Sequence, residues 1–171
     1  MKRLYLLRHV KSSWDDPSLA DFDRPLSKRG RRAGTAMGRH IADENLLPRL
    51  ALCSTARRAR DTWRQVSAEW KAPPTVRFDD RLYMADAETM LERLAELPDD
   101  ADHVMTIGHN PGIQSLALEL AAPTRTATLA RLRTKYPTGG LAIFDLAIDR
   151  WSAIAPHCGR LIGFATPRDF G

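Results

Sequence analysis

An arginine and a histidine stand side by side where an apolar run ends. Leu4–Leu7 is followed directly by Arg8 and His9, within "LLRHVKSSWDD" at residues 6–16. A short apolar run bounded by polar residues reads as a buried strand. Its two best-hydrated groups would then lie at the edge of a sheet, where they read equally as a charged strand cap or as part of a site. Two more apolar runs end in the same manner. "LALCS" (50–54) leads into Arg57 and Arg58, and "HVMTIGHN" (103–110) closes on Gly108, His109 and Asn110. If these strands are parallel neighbours, their carboxyl ends converge where open α/β sheets hold ligands. Arginines and histidines around one point suit a tetrahedral dianion, because the guanidinium fork matches phosphate oxygens. A neutral imidazole there can also accept a phosphoryl group and pass it to water. Flanking positive charges would stabilise the transferring oxygens. No metal-ligand spacing stands beside these residues, so no cofactor is expected.

The elements that must position these groups can be read along the chain. Residues 3–8 form the first strand, and the Asp- and Pro-rich stretch 15–25 a loop. Ser27 caps a helix running to about Asn45, with Ala33, Met37 and Ile41 on one face. Ser54 reads as a cap for the next helix, whose stripe is Ala56, Ala59, Trp63, Val66 and Trp70 and which Pro73-Pro74 ends. A helix spans about Asp86 to Leu97, and another follows Pro111-Gly112 through Leu116 and Leu120. Residues 139–148, 152–155 and 160–165 read as closing strands. Strands alternate with helices, which predicts an α/β fold: one domain over residues 1–171, a mostly parallel central sheet with helices on both faces.

Composition narrows the partners. The chain has 171 residues, 43% hydrophobic and 27% charged, enough for one core and ordinary for a globular domain. No apolar run approaches a membrane span, and Arg8 and His9 interrupt the N-terminal run too early for a signal peptide. Cys53 and Cys158 form neither a metal motif nor a disulfide framework, so a reducing cytoplasm is the expectation. The net charge of +5 fits either a nucleic-acid surface or a small-anion site. Aromatic residues are not interleaved with the basic clusters, which argues against a stacking platform for single strands. Neither a membrane nor a nucleic-acid partner is expected.

Taken in order, "LLRHVKSSWDD", "DRPLSKRGRRAG", "CSTARRARDTW" and "TIGHNPGI" resemble the histidine phosphatase superfamily. "PTGGLAIFDL" and "GRLIGFATPRDF" resemble its small bacterial phosphohistidine-phosphatase-like branch. The resemblance implies the phosphoglycerate-mutase-like fold and a metal-independent phosphatase. It makes His9 the phosphorylated nucleophile, Arg8 and Arg58 phosphate ligands, and His109 the second pocket histidine. Arg57 then becomes an extra, exposed charge. Lys11, Ser12 and Ser13 either touch phosphate or begin a solvated loop. The "SKRGRR" run reads as an exposed helix start, with Arg24 or Arg29 as the alternative contributors to the pocket rim, and Asp23 reads as a loop anchor through salt bridges rather than a proton donor.

Two positions that carry the proton donor elsewhere in this superfamily hold Met84 and Asn110 here. The Asp-rich loop, Asp15 to Asp23, is the other source of an acid, and Asp15, where mutase-like sequences often have an Asn close to the phosphate, is a candidate there for a donor or phosphate contact. General acid catalysis contributes a factor of about 10²–10⁴. An alkoxide leaving group needs it, whereas an imidazole, with a pKa near ~6.5, does not. The expected substrate is therefore phosphohistidine on a protein partner, with inorganic phosphate as product. A small-molecule phosphomonoesterase acting on a sugar or nucleotide phosphate, or a phosphate- or nucleic-acid-binding module without turnover, is the alternative.

Overall fold

The computed structural model describes residues 1–170. Six strands form one sheet: β1 Lys2–Arg8, β2 Leu50–Ser54, β3 Thr75–Asp79, β4 His103–Gly108, β5 Leu141–Leu146 and β6 Gly159–Ala165. Five helices connect them: α1 Lys28–Asp43, α2 Arg57–Ser67, α3 Ala87–Ala95, α4 Gly112–Leu120 and α5 Ala127–Thr134. The strand order is β3-β2-β4-β1-β5-β6. β1, β2, β3 and β4 pair in parallel, and β5 and β6 close the sheet antiparallel.

Strand alternation divides the core into two layers. Leu4 and Leu6 of β1, with Leu50 and Leu52 of β2, meet Met90 and Leu94 of α3, Ile113 and Leu116 of α4, and Leu129 and Leu132 of α5. Tyr5 and Leu7, with Ala51 and Cys53, face Met37 and Ile41 of α1 and Ala59, Trp63 and Val66 of α2. Both faces of β1 are covered, which is why its sequence reads as a continuous apolar run.

Register brings the strand ends together. Arg8 pairs with Gly108, and Cys53 with Ile107, so β1, β2 and β4 finish side by side. The end of β1 is then held from three directions. The His9 N–H donates to the Gly108 carbonyl at 3.1 Å, and the Val10 N–H to Thr62 Oγ1 of α2 at 3.1 Å. The Gly139 N–H lies 3.0 Å from both the Arg8 and the His9 carbonyl oxygens. Gly139 has φ +76°, which favours glycine, and a Cβ there would lie 2.7 Å from Pro167 Cγ.

Three local readings need correction. Residues 152–155 are not a strand: Trp151–Ala153 is a 3-10 turn, because buried Trp151 is pinned by its backbone N–H to Asp99 Oδ1 and its Nε1–H to the Ala101 carbonyl. β3 escaped notice because it is a sheet edge whose residues are mostly exposed, so "TVRFD" lacks an apolar run. α5, within the basic stretch "RTATLARLRTK", buries only Leu129 and Leu132 and starts at a Thr126 cap. α1 keeps its Ser27 cap, which accepts from the Gly30 N–H at 3.0 Å.

α4 starts three residues after His109 and packs against the 82–85 segment, where a Cβ on Gly112 would lie 1.8 Å from the Ala85 carbonyl oxygen. Gly112→Ala should therefore lower stability by about 1–3 kcal/mol, the usual range for overpacking. Urea denaturation measures it; an unchanged midpoint would mean that this contact relaxes freely.

Candidate active site

Arg8, His9, Ser12, Arg58, His109 and Asn110 line one open cavity of about 410 Å³ at the joined ends of β1, β2 and β4. The His9 and His109 rings face each other with centroids 5.3 Å apart. Arg58 is 3% exposed, whereas Arg57, next to it on α2, is 49% exposed and pairs with Asp61. Adjacent helical residues point about 100° apart, so only one of the two can enter the cavity.

The His9 proton is fixed by geometry. Nδ1 lies 2.7 Å from the Val10 carbonyl oxygen. A carbonyl only accepts, so Nδ1 carries the hydrogen and Nε2 keeps its lone pair. Burial, reinforced by Arg58, Arg8 and Arg24, lowers the His9 pKa to about 4. The ring is neutral at pH 7. His109 is lowered to about 3 by burial and by His9 and Arg58. Its Nε2 lies 2.7 Å from Ser54 Oγ, and its buried Nδ1 has no partner. Ser54 Oγ also accepts from the Ala56 N–H at 3.3 Å. Its own proton is available to His109 Nε2, and in that arrangement the hydrogen of His109 sits on Nδ1.

The arginines are braced in different ways. Arg8 donates through Nη1 to the Tyr136 carbonyl at 2.8 Å, and its buried Nε is unpartnered. Arg58 donates to the Asp21 carbonyl at 2.8 Å and to Asp21 Oδ2 at 3.0 Å, and its buried Nε is also unpartnered. Arg24 is buried beside them, donates to Ser12 Oγ at 2.9 Å, and lies over the Trp14 ring at 3.5 Å.

Several residues differ from their sequence-based roles. Asp15 is exposed and lies outside the cavity lining; the carboxylate that lines it is Asp21. Asp21, not Asp23, carries the ion pairs of this loop. The hydrogen bond from Tyr83 and the nearby Arg58 lower the Asp21 pKa to about 2. Ser54 does not cap α2, which starts after Ala56; it braces His109 instead. Asn110 lines the cavity, while its amide spans Gln114 and the Tyr136 carbonyl that Arg8 also uses. Met84 sits at the mouth with its Sδ 3.7 Å from Arg58 Nη2. Tyr83 and Asp21 had no spacing that marked them, because their partners are distant in sequence; Ser54 was marked by its place at a strand end, first as a helix cap and second as a pocket residue.

A family model, "Histidine phosphatase superfamily (branch 1)", matches residues 4–96, the segment that supplies Arg8, His9 and Arg58. The chain belongs to the histidine phosphatase superfamily. Membership supports a phosphatase-type hydrolase. Among relatives of this histidine phosphatase chain, the uncharacterized protein Rv1276c of Mycobacterium tuberculosis is 38% identical over 95% of the chain and all of its own length. The SixA protein of Agrobacterium tumefaciens, a proposed phosphohistidine phosphatase, is 32% identical, with a TM-score of 0.82 over 97% of this chain and 98% of that one. The protein histidine phosphatase SixA bound to tungstate has the same fold, with a TM-score of 0.80 at 20% identity over 99% of both chains.

The two depressed histidines link the site to stability. Each is neutral when folded, while an unfolded imidazole begins to protonate below about pH 6.5. The unfolded state therefore binds more protons as pH falls from 6.5 towards 4, and stability drops over that window by up to roughly 1 kcal/mol per pH unit per histidine. Replacing both with glutamine should flatten the decline. Urea denaturation at pH 7, 6 and 5 checks this; equal slopes in wild type and double variant would contradict the burial account.

Proposed function

We propose that the protein hydrolyses phosphohistidine on a partner protein through a phosphoryl intermediate on His9. The supporting observation is the contrast between a ready nucleophile and the absence of a usable acid among the described residues that line the cavity. His9 Nε2 attacks phosphorus with its lone pair while the bond from phosphorus to the leaving group breaks. Arg8, Arg58 and the His109 Nδ1–H bind the non-bridging oxygens and stabilise their charge, an effect usually large for preorganised donors. A leaving imidazole takes its proton from solvent on its distal ring nitrogen and departs neutral. Water then attacks phosphorus, loses a proton to solvent, and releases inorganic phosphate and free His9.

The acid side of the site is bare. Met84 has no proton to give and Asn110 is an amide. Asp15 is outside the lining, and Asp21 is ionised well below neutral pH. An alkoxide, which must be protonated as it leaves, gains nothing from such a pocket. The mouth also favours a large substrate: Trp14 and Met84 flank it, 73% and 51% exposed.

Rates should therefore follow the leaving group. Phosphohistidine-bearing protein and activated aryl phosphates should exceed simple alkyl phosphates in kcat/KM by about 10²-fold or more, the usual contribution of a general acid. Asp21→Asn should slow all substrates in parallel, since Asp21 holds Arg58. Equal rates for alkyl phosphates and phosphohistidine, with Asp21→Asn removing only the alkyl activity, would instead favour a small-molecule phosphomonoesterase with Asp21 as donor.

A further inference from the structure

A second and larger cavity, about 620 Å³, opens beside the catalytic one and shares Arg8, Lys11 and Thr138 with it. The arginine that reaches the phosphate pocket is therefore also part of its neighbour's wall. The groove floor is apolar and braced. Phe164 is buried against Tyr136, with ring centroids 5.1 Å apart, and Pro137, Pro167 and Ala33 add apolar surface to the lining. Arg131 stands over Phe164 and is spent structurally, paired with Asp169 at 2.8 Å and bonded to Thr166 Oγ1 at 3.0 Å.

The rim differs in kind. Lys11, Arg29, Lys135 and Arg168 come from four separate segments, all are exposed, and none forms an ion pair with another described residue. Among the described residues, no carboxylate lines this groove. Four unpaired cations around one hollow repel one another, a cost that an anionic occupant relieves. Elsewhere on the surface, arginines such as Arg39, Arg64 and Arg93 have acidic partners.

We infer that this groove binds an acidic polypeptide segment next to the phosphorylated side chain of the substrate protein. The inference rests on the phosphohistidine reading of the catalytic cavity and narrows its substrate class. Charge complementarity selects carboxylates, and the apolar floor suits the aliphatic stems between them. The exposed Trp14 and Met84 at the catalytic mouth extend the same footprint beyond the reach of a small molecule. A nucleic acid fits less well, since among the described residues the one aromatic ring lining the groove, Phe164, is buried and offers no stacking face.

Binding and turnover test it separately. A fluorescein-labelled glutamate-rich peptide without phosphate is titrated by anisotropy into wild type and into the Lys135→Glu, Arg168→Glu double variant. Wild type should bind at least tenfold more tightly, with affinity falling as salt rises. In turnover, a phosphohistidine peptide with acidic flanks should exceed its glutamine-flanked counterpart at least tenfold in kcat/KM, mainly through KM. The double variant should lose that advantage while hydrolysing phosphoramidate at the wild-type rate. Equal affinity of wild type and double variant would overturn the groove, whatever the catalytic substrate. Equally tight binding of an oligonucleotide of matching charge would overturn the assignment to polypeptide. Peptide binding without any phosphohistidine turnover would leave the groove standing and remove the catalytic reading instead.

Discussion

The hydrogen bond from His9 Nδ1 to the Val10 carbonyl, 2.7 Å long, decides which nitrogen of the ring can react. A carbonyl oxygen has no proton to offer, so the tautomer follows from the partner alone. Burial adds the second condition. With its pKa lowered to about 4, the ring stays neutral in the presence of three guanidinium groups. A nucleophile that remains unprotonated beside strong positive charge is what phosphoryl transfer to nitrogen requires. The positive charge itself attracts the dianion and would repel an imidazolium.

The sheet supplies the rest of the arrangement. Arg8 ends β1 and His9 follows it, Ser54 ends β2, and His109 follows β4, and parallel pairing sets these ends level. The order β2-β4-β1 places the strand carrying His109 between the other two. α2 returns over the sheet to deliver Arg58, and Thr62 ties that helix to the strand end through the Val10 N–H. Thr62 Oγ1 in turn donates to the Arg58 carbonyl at 2.6 Å. The proposed nucleophile and the proposed phosphate ligand are thus joined by two hydrogen bonds through Thr62 Oγ1. Such bracing limits the looseness that degrades a charge clamp.

What the sequence revealed follows the range of the interactions. β1, β2 and β4 were legible because each is buried on both faces and ends in polar residues. Arg8, His9, Arg58 and His109 were legible because each lies at a strand end or one helical turn beyond it, in a motif of ordered residues. β3 and α5 were not, since an edge strand and a helix with two buried residues leave little apolar pattern. Asp21 was hidden for another reason. Its importance comes from Arg58 and Tyr83, 37 and 62 residues away, and nothing local distinguishes it from Asp15, Asp16 or Asp23. Ser54 has both a backbone partner, Ala56, and a distant one, His109, and only the first belongs to a local pattern. The absence of an acid at Met84 and Asn110 is legible directly, because side-chain type alone decides it.

The most direct measurement is to trap and locate the phosphoryl group. Wild-type enzyme is mixed with radiolabelled phosphoramidate, quenched in alkali within milliseconds to seconds, digested, and the labelled peptide is sequenced by mass spectrometry, with the ring isomer assigned by phosphorus NMR. The mechanism predicts an acid-labile, base-stable phosphoryl group on Nε2 of His9, absent from His9→Ala. Label on Nδ1 of His9, label on His109, or full turnover by His9→Ala would contradict it.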